Sequence, residues 1–302
     1  MTHLPGRSPL NLQAQNLTNG EAAHLHAMRV AEGVGMPQSW DEALDSVQRS
    51  AELEYRPAQA ELAALAGEWQ LAEEIAAGAN CGPEKWASLR ADVDVAKWLA
   101  APPKRVVSAS PRIAIVPELA SPEQCRWLIS RARGKLSRAQ VYDPQTGGPR
   151  SESVRTNSQC VLLRDESDLV LLSLRARIAQ IIELPVPWME ATMMLHYSPG
   201  EEFLPHLDFL DTHLPGPAAD VAERGQRVVT FLMSLNEDYE GGETAFPELG
   251  RAWKGQTGTG LFFWNVEPDG TPDPRTRHAG MPPLNGEKWL LSQWVRARPG
   301  RR

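Results

Sequence analysis

His206 and Asp208 stand two residues apart in Leu204-Pro205-His206-Leu207-Asp208-Phe209. On an extended strand that spacing sends both side chains to one face. An imidazole beside a carboxylate offers two adjacent ligands to a divalent metal, and a third has to come from elsewhere in the chain. His278, in Arg277-His278-Ala279-Gly280, is the candidate. Two histidines and one carboxylate on one side of a metal, with the remaining positions open, form the ligand set of non-haem Fe(II) oxygen chemistry. An isolated H-x-D pair is a weak signal, because most such pairs are polar strand or turn residues. Asp211 and His213 form a competing D-x-H pair, but Pro215-Gly216-Pro217 follows at once and marks flexible loop rather than strand.

A second feature lies downstream, in Gly286-Glu287-Lys288-Trp289-Leu290-Leu291-Ser292-Gln293-Trp294. Lys288, Leu290, Ser292 and Trp294 share one parity and so one strand face. A lysine on the inward face of an apolar strand is costly unless it meets an anion. The plainer alternative is a lysine at the solvent end of the strand with only its stem packed.

In this order, Tyr197, His206-x-Asp208, His278, Lys288 and Trp294 resemble the catalytic domain of prolyl 4-hydroxylases, members of the 2-oxoglutarate/Fe(II) dioxygenases. Two further segments, 227–236 and 240–247, resemble stretches of the same family, and the similarity runs over residues 112–298. The resemblance implies a double-stranded β-helix (jelly roll) with Fe(II) held by His206, Asp208 and His278 between its two sheets. It implies 2-oxoglutarate chelating the iron, its distal carboxylate on Lys288. Tyr197 and Thr230 match positions whose hydroxyls bond that carboxylate, and Trp294 walls the site. O2 is the other co-substrate, and the resemblance extends to ascorbate. Arg155, Arg227 and Glu243 match candidate substrate contacts. The structural alternatives are a core tyrosine for Tyr197, an ordinary strand threonine for Thr230, a surface arginine for Arg155 and a structural role for Glu243. The implied reaction is hydroxylation of a proline-containing peptide or protein, releasing succinate and CO2. One alternative keeps the chemistry on a small molecule or a non-prolyl side chain. Another, of a different class, is a helical protein-interaction module on an inactive barrel, against which the intact ligand set argues.

The elements that must position these residues are legible in outline. The chain has 302 residues, 42% hydrophobic and 23% charged, enough for an ordinary core. A net charge of −7 gives no nucleic-acid signal. Cys81, Cys125 and Cys160 form no pair of short spacing, so a disulfide framework is not expected and a reduced cytoplasm fits. Neither a signal peptide nor a membrane-spanning run is expected.

Residues 1–20 read as a flexible tail, 21–101 as an α-helical domain and 102–302 as the dioxygenase domain, giving an α+β chain. Ser39 and Glu42 read as a helix-capping pair, with Ala43, Leu44, Val47 and Ala51 as a buried stripe. Residues 22–67 resemble a Sel1-like, tetratricopeptide-type repeat, which implies a protein partner or self-association, or else a prop for the catalytic domain. Ala101-Pro102-Pro103-Lys104 reads as a linker. Ser121 and Pro122 start a helix. Residues 141–157 read as a long loop of the kind used as lids, and in the resembling family a mobile substrate-covering loop lies there. Strands are predicted at 113–116, 158–163, 191–197, 206–210, 228–235, 258–264, 277–281 and 288–296. Many strands with Gly/Pro-rich turns predict a sandwich or jelly roll.

Overall fold

Side-chain caps set where the helices begin. In this computed structural model, which describes residues 17–142, 145, 149–150 and 152–298, Thr18 accepts from the Glu21 N–H while Glu21 reaches back to the Thr18 N–H. That reciprocal box opens α1 (Asn19–Glu32). Ser39 Oγ accepts from the Glu42 N–H and opens α2 (Trp40–Glu52). Then come α3 (Arg56–Leu65), α4 (Trp69–Ala76), α5 (Glu84–Asp92) and α6 (Val95–Leu99). Small side chains let these helices close up: Ala27, Ala43, Ala51, Ala58, Ala63 and Ala64 are fully buried or nearly so. One polar contact is built into this packing. The His24 ring and the Glu61 carboxylate, both buried, meet at 2.5 Å, and the other Glu61 oxygen accepts from the Leu169 N–H.

The described residues divide into two compact units: those up to residue 99 with 167–173, and those from residue 100 to 166 and from 174 onwards. Among the described residues, no helix is long and apolar enough to cross a membrane.

The second unit carries the sheets. Its strands are β1 (Arg105–Ala109), β2 (Arg112–Val116), β3 (Ser137–Arg138), β4 (Val141–Tyr142), β5 (Pro149–Arg150), β6 (Ser158–Leu162), β7 (Thr192–Tyr197), β8 (Phe203–His206), β9 (Arg227–Ser234), β10 (Glu240–Gly241), β11 (Thr244–Phe246), β12 (Arg251–Trp253), β13 (Gly260–Trp264), β14 (His278–Gly280), β15 (Pro283–Asn285) and β16 (Lys288–Arg296). Helices α7 (Pro122–Arg133), capped by Ser121 and Gln124 with Pro122 in its first turn, and α9 (Pro215–Arg224) belong to the same unit, and α8 (Leu169–Ile182) has its first residues in the first unit and the rest in the second.

An eight-stranded sheet runs β1-β2-β13-β9-β16-β7-β6-β3, and a four-stranded sheet runs β12-β11-β14-β8. Every pairing is antiparallel, consistent with a jelly roll. Side chains from both sheets share the interior. Ile113, Leu232, Leu261 and Phe263 of the large sheet pack with Phe246 of the small one. Met193, Leu195, Tyr197 and Leu290 pack with Phe203 of the small sheet. Burying each such side chain stabilises by roughly 1.5–3 kcal/mol, so the two layers are held face to face where the metal-ligand candidates emerge.

The structure corrects the sequence reading in several places. The strand expected at 206–210 is instead β8, ending at His206. Asp208 therefore lies past the strand, and its inward direction is set by a hydrogen bond rather than by strand alternation. The loop expected from Pro215-Gly216-Pro217 is the first turn of α9, where prolines cost no hydrogen bond. Strand β1 follows the expected linker directly and pairs with β2. The short strands β10, β11, β12 and β15 carry too few residues to show a period. Within the expected lid at 141–157, β4 pairs with β5, and residues 143–144, 146–148 and 151 lie outside the described residues, as do residues 1–16 of the expected tail.

Candidate metal centre and co-substrate pocket

Strand pairing brings the two histidines together. β14 lies antiparallel to β8 with His278 directly opposite His206. Their rings are 4.3 Å apart between centroids. The His206 ring stacks on Phe203 at 3.5 Å, and the His278 ring meets Phe263 at 4.8 Å. Asp208 completes the group, its Oδ1 3.6 Å from His206 Nε2 and its Oδ2 3.5 Å from His278 Nε2. Among the described residues, His206, Asp208 and His278 are the one group of three metal-ligating side chains, with one donor atom from each within 4.8 Å of the others. The competing pair stays apart: the His213 N–H merely donates to Asp211 Oδ1 in an exposed turn.

Each imidazole is fixed in the form a metal needs. His206 Nδ1–H donates to the Leu204 carbonyl at 2.8 Å, and His278 Nδ1–H to the Thr276 carbonyl at 3.1 Å. The Nε2 lone pairs therefore face the shared point. Burial, reinforced by the neighbouring His278, pushes His206 down to about 3, so that ring is neutral near pH 7. Burial pushes the Asp208 carboxyl up, but the charges of His278, His206 and Arg227 and the Thr230 hydrogen bond outweigh it and hold Asp208 at about 2. The Nε2 lone pairs of two imidazoles with the ionised Asp208 carboxylate fit a divalent ion: one negative charge against two positive leaves the centre attractive to an anionic co-substrate.

Lys288 is 1% exposed. It sits opposite Tyr197 in the β16–β7 register, with its ammonium 4.8 Å from the centroid of the Tyr197 ring. Its Nζ has no hydrogen-bond partner, and Trp294 Nε1, farther along the same strand face, has none either. Both side chains line a cavity shared with His206, Asp208, His278 and Arg155. Burial pushes the Lys288 ammonium down to about 7, with the Glu243 charge pulling the other way. A buried cation without a partner is rarely kept in a fold. A dicarboxylate reaching in from the metal would supply the missing acceptor. Tyr197 is also buried, and burial pushes its phenol up to about 12, so it stays a donor.

Gly280 makes room for that phenol: a Cβ there would lie 2.9 Å from the Tyr197 hydroxyl. Gly280→Ala is therefore expected to push Tyr197 aside and raise the 2-oxoglutarate requirement several-fold while the protein stays folded. Steady-state kinetics beside a thermal melt would check this, and an unchanged requirement in a folded variant would contradict it.

Other sequence candidates fall differently. The Thr230 hydroxyl is not among the groups lining the cavity; it donates to Asp208 Oδ2 at 2.6 Å. Arg227 is no free substrate contact. Its Nε and Nη2 grip both oxygens of Glu190 at 2.7 and 3.1 Å, and its guanidinium stacks 3.3 Å from the Trp294 ring centroid. Glu243 is half-buried outside the cavity lining, and its carbonyl accepts from the Met281 N–H. Arg155 is buried rather than on the surface. It holds Asn157 Oδ1 and the Gln140 carbonyl, lies over the Phe203 ring and faces the cavity.

Sequence reasoning missed Phe203, Glu190, Thr276 and Asn265. Glu190 had a usable signal, an acid just before the apolar run at residues 193–195. Asn265, a polar residue ending the apolar run Gly260–Trp264, had another.

The 2OG-Fe(II) oxygenase superfamily matches residues 192–296 of the chain. Prolyl 4-hydroxylase 1 of Arabidopsis thaliana is 36% identical over 206 residues, covering 63% of this chain and 71% of that protein. Probable prolyl 4-hydroxylase 3 of the same plant is 32% identical over 209 residues, with the same coverage of 63% and 71%. A crystal structure of a viral collagen prolyl hydroxylase from Paramecium Bursaria Chlorella virus-1, in complex with 2OG, is 26% identical, with 61% of this chain and 96% of that one covered and a TM-score of 0.48. The matched span contains all three candidate metal ligands and Lys288, and the chain belongs to the prolyl 4-hydroxylase group of the 2OG-Fe(II) oxygenase family.

Proposed function

We propose that this chain is a 2-oxoglutarate- and Fe(II)-dependent dioxygenase that hydroxylates prolyl residues in a peptide or protein. The observation that carries the reading is the convergence of His206, Asp208 and His278 in a cavity that also holds the unpartnered ammonium of Lys288. The family uses Fe(II), 2-oxoglutarate and O2, and the bound ferrous ion supplies O2 activation coupled to oxidative decarboxylation of the co-substrate. One oxygen atom ends in succinate and the other in the new hydroxyl group, with CO2 released.

The chain's own residues do the rest. His206 and His278 present Nε2, and Asp208 presents an oxygen. Lys288 fixes the far carboxylate of the co-substrate, helped by the Tyr197 phenol. Leu195, Leu290 and Trp294 exclude water from the cavity, which strengthens each polar contact inside it. Leu204, Leu207 and Met281 are exposed apolar residues on or next to the ligand-bearing strands, and they suit an apolar substrate segment with few charges. Arg155, buried at the cavity, is the assigned polar contact for that segment. The prolyl assignment draws on relatives that are named prolyl 4-hydroxylases.

The test is to incubate the Fe(II)-loaded protein with 2-oxoglutarate, O2 and proline-rich peptides. The expected result is a peptide product heavier by one oxygen, formed with peptide-stimulated succinate. Succinate formation that no peptide stimulates would remove the prolyl assignment and favour a small-molecule substrate.

The reading extends to α1–α6 as a Sel1-like helical repeat that binds a protein partner or a second copy of the chain. Its support is the sequential packing of α1 on α2, α2 on α3 and α3 on α4 through small buried alanines. Light scattering of the full chain over a range of concentrations tests the self-association half, and a monomer throughout would exclude it.

A further inference from the structure

Asn265 directly follows β13 and is 1% exposed. Its Nδ2–H donates to Thr230 Oγ1 at 3.0 Å. A hydroxyl has a single hydrogen, and with a donor already supplied by Asn265 that hydrogen is free to point at Asp208 Oδ2, 2.6 Å away. The longer approach of Thr230 Oγ1 to Asn265 Oδ1, 3.5 Å, does not compete. The three side chains thus form a directed chain from amide to hydroxyl to carboxylate, all of it buried.

The amide that starts the chain is itself held firmly. The Asn265 N–H donates to the Val228 carbonyl at 2.9 Å, and its carbonyl accepts from the Asp273 N–H at 3.0 Å. The Asp273 carbonyl in turn takes the Thr276 hydroxyl at 2.7 Å, and the Thr276 carbonyl takes His278 Nδ1–H. The main chain of Asn265 therefore belongs to the same frame that orients a second ligand candidate. Asp208 needs such help, because β8 ends at His206 and no strand pairing fixes the residues just after it.

We propose that Asn265 is a positioning residue for the metal centre, acting through the Thr230 hydroxyl to fix the rotamer of Asp208. One carboxylate oxygen is engaged by Thr230, which orients the group and leaves the other oxygen without competition. This inference rests on the metal centre proposed above. Partners of this kind around a metal site are typically worth about 10- to 100-fold in metal affinity.

The experiment is a calorimetric titration of Co(II) into the metal-free full-length protein and its variants, with circular dichroism confirming the fold of each. Thr230→Val and Asn265→Leu are each expected to weaken Co(II) binding about 10- to 100-fold, while Thr230→Ser keeps near wild-type affinity because it restores the hydroxyl. The double variant is expected to be no weaker than Thr230→Val alone, since the two groups act in series. The KM for 2-oxoglutarate at saturating metal is expected to stay unchanged in Thr230→Val, which separates this role from a co-substrate contact. A folded Thr230→Val protein that binds Co(II) as tightly as wild type would overturn the relay while leaving the metal centre standing. Wild-type protein that binds no Co(II), or binds it equally after His278→Ala, would overturn both.

Discussion

His278→Ala is expected to lose ferrous binding and to bring turnover below detection, and Asp208→Ala and His206→Ala are expected to do the same. Loss of an outer partner of a metal ligand costs about 10- to 100-fold in affinity. Loss of one ligand out of three has to exceed that range, because nothing else in the group replaces it: among the described residues no fourth metal-ligating side chain joins the cluster. His278→Ala is the cleanest of the three. His278 has its Nδ1 on the Thr276 carbonyl and its ring against Phe246 and Phe263, so the substitution removes one ligand while the other two stay on their own elements. A folded His278→Ala protein with wild-type Fe(II) affinity would remove the metal centre from the account.

Lys288→Met is expected to act in opposite directions on co-substrate binding and on stability. Truncating one member of a buried charge pair costs about 2–5 kcal/mol, or roughly 30- to 4000-fold in the 2-oxoglutarate requirement. At saturating co-substrate much of the turnover should return, because Lys288 touches neither the metal ligands nor the oxidised carbon.

Without co-substrate the sign reverses. Burial lowers the Lys288 ammonium from 10.5 to about 7 in the folded protein. Between those values the unfolded chain binds more protons than the folded one, so stability rises with pH across about 7 to 10.5. Below about 7 both states are protonated and the burial penalty is present in full. Lys288→Met removes that penalty, on the order of a few kcal/mol. Metal-free Lys288→Met is therefore expected to melt above wild type at pH 6, with the gap narrowing towards pH 10. Calorimetry adds a check: above pH 7, 2-oxoglutarate binding to wild type should take up a proton, since a carboxylate recruits the charged form of the lysine. Equal melting temperatures at pH 6 together with an unchanged 2-oxoglutarate requirement would refute the assignment.

Much of the site was legible in sequence because strand alternation is a short-range rule. Lys288, Leu290, Ser292 and Trp294 share parity, and all four line the cavity. His278 was readable as the missing ligand because it precedes Lys288 by ten residues, in the motif order that the resembling family shows. The helix starts at Ser39 and Ser121 were readable because capping is decided within four residues.

What escaped was decided by distant partners. The direction of Asp208 depends on Thr230 and Asn265, 22 and 57 residues further on (230 − 208 and 265 − 208), which no local period reveals. Arg227 looked available because its partner Glu190 lies 37 residues upstream. The true strand in the ligand stretch, β8, spans only four residues and contains Pro205, so pattern alone misplaced it towards the more apolar side. Helix α9 was hidden by prolines that normally break helices but are tolerated in a first turn.

The most direct measurement is a crystal structure of the protein with Mn(II), as a redox-silent substitute for Fe(II), and 2-oxoglutarate. The anomalous difference map should show one metal peak bounded by His206 Nε2, an Asp208 oxygen and His278 Nε2, with the far carboxylate of the co-substrate against Lys288 Nζ. A metal bound by any other side chains, or a co-substrate whose carboxylate lies away from Lys288, would contradict the account at its centre.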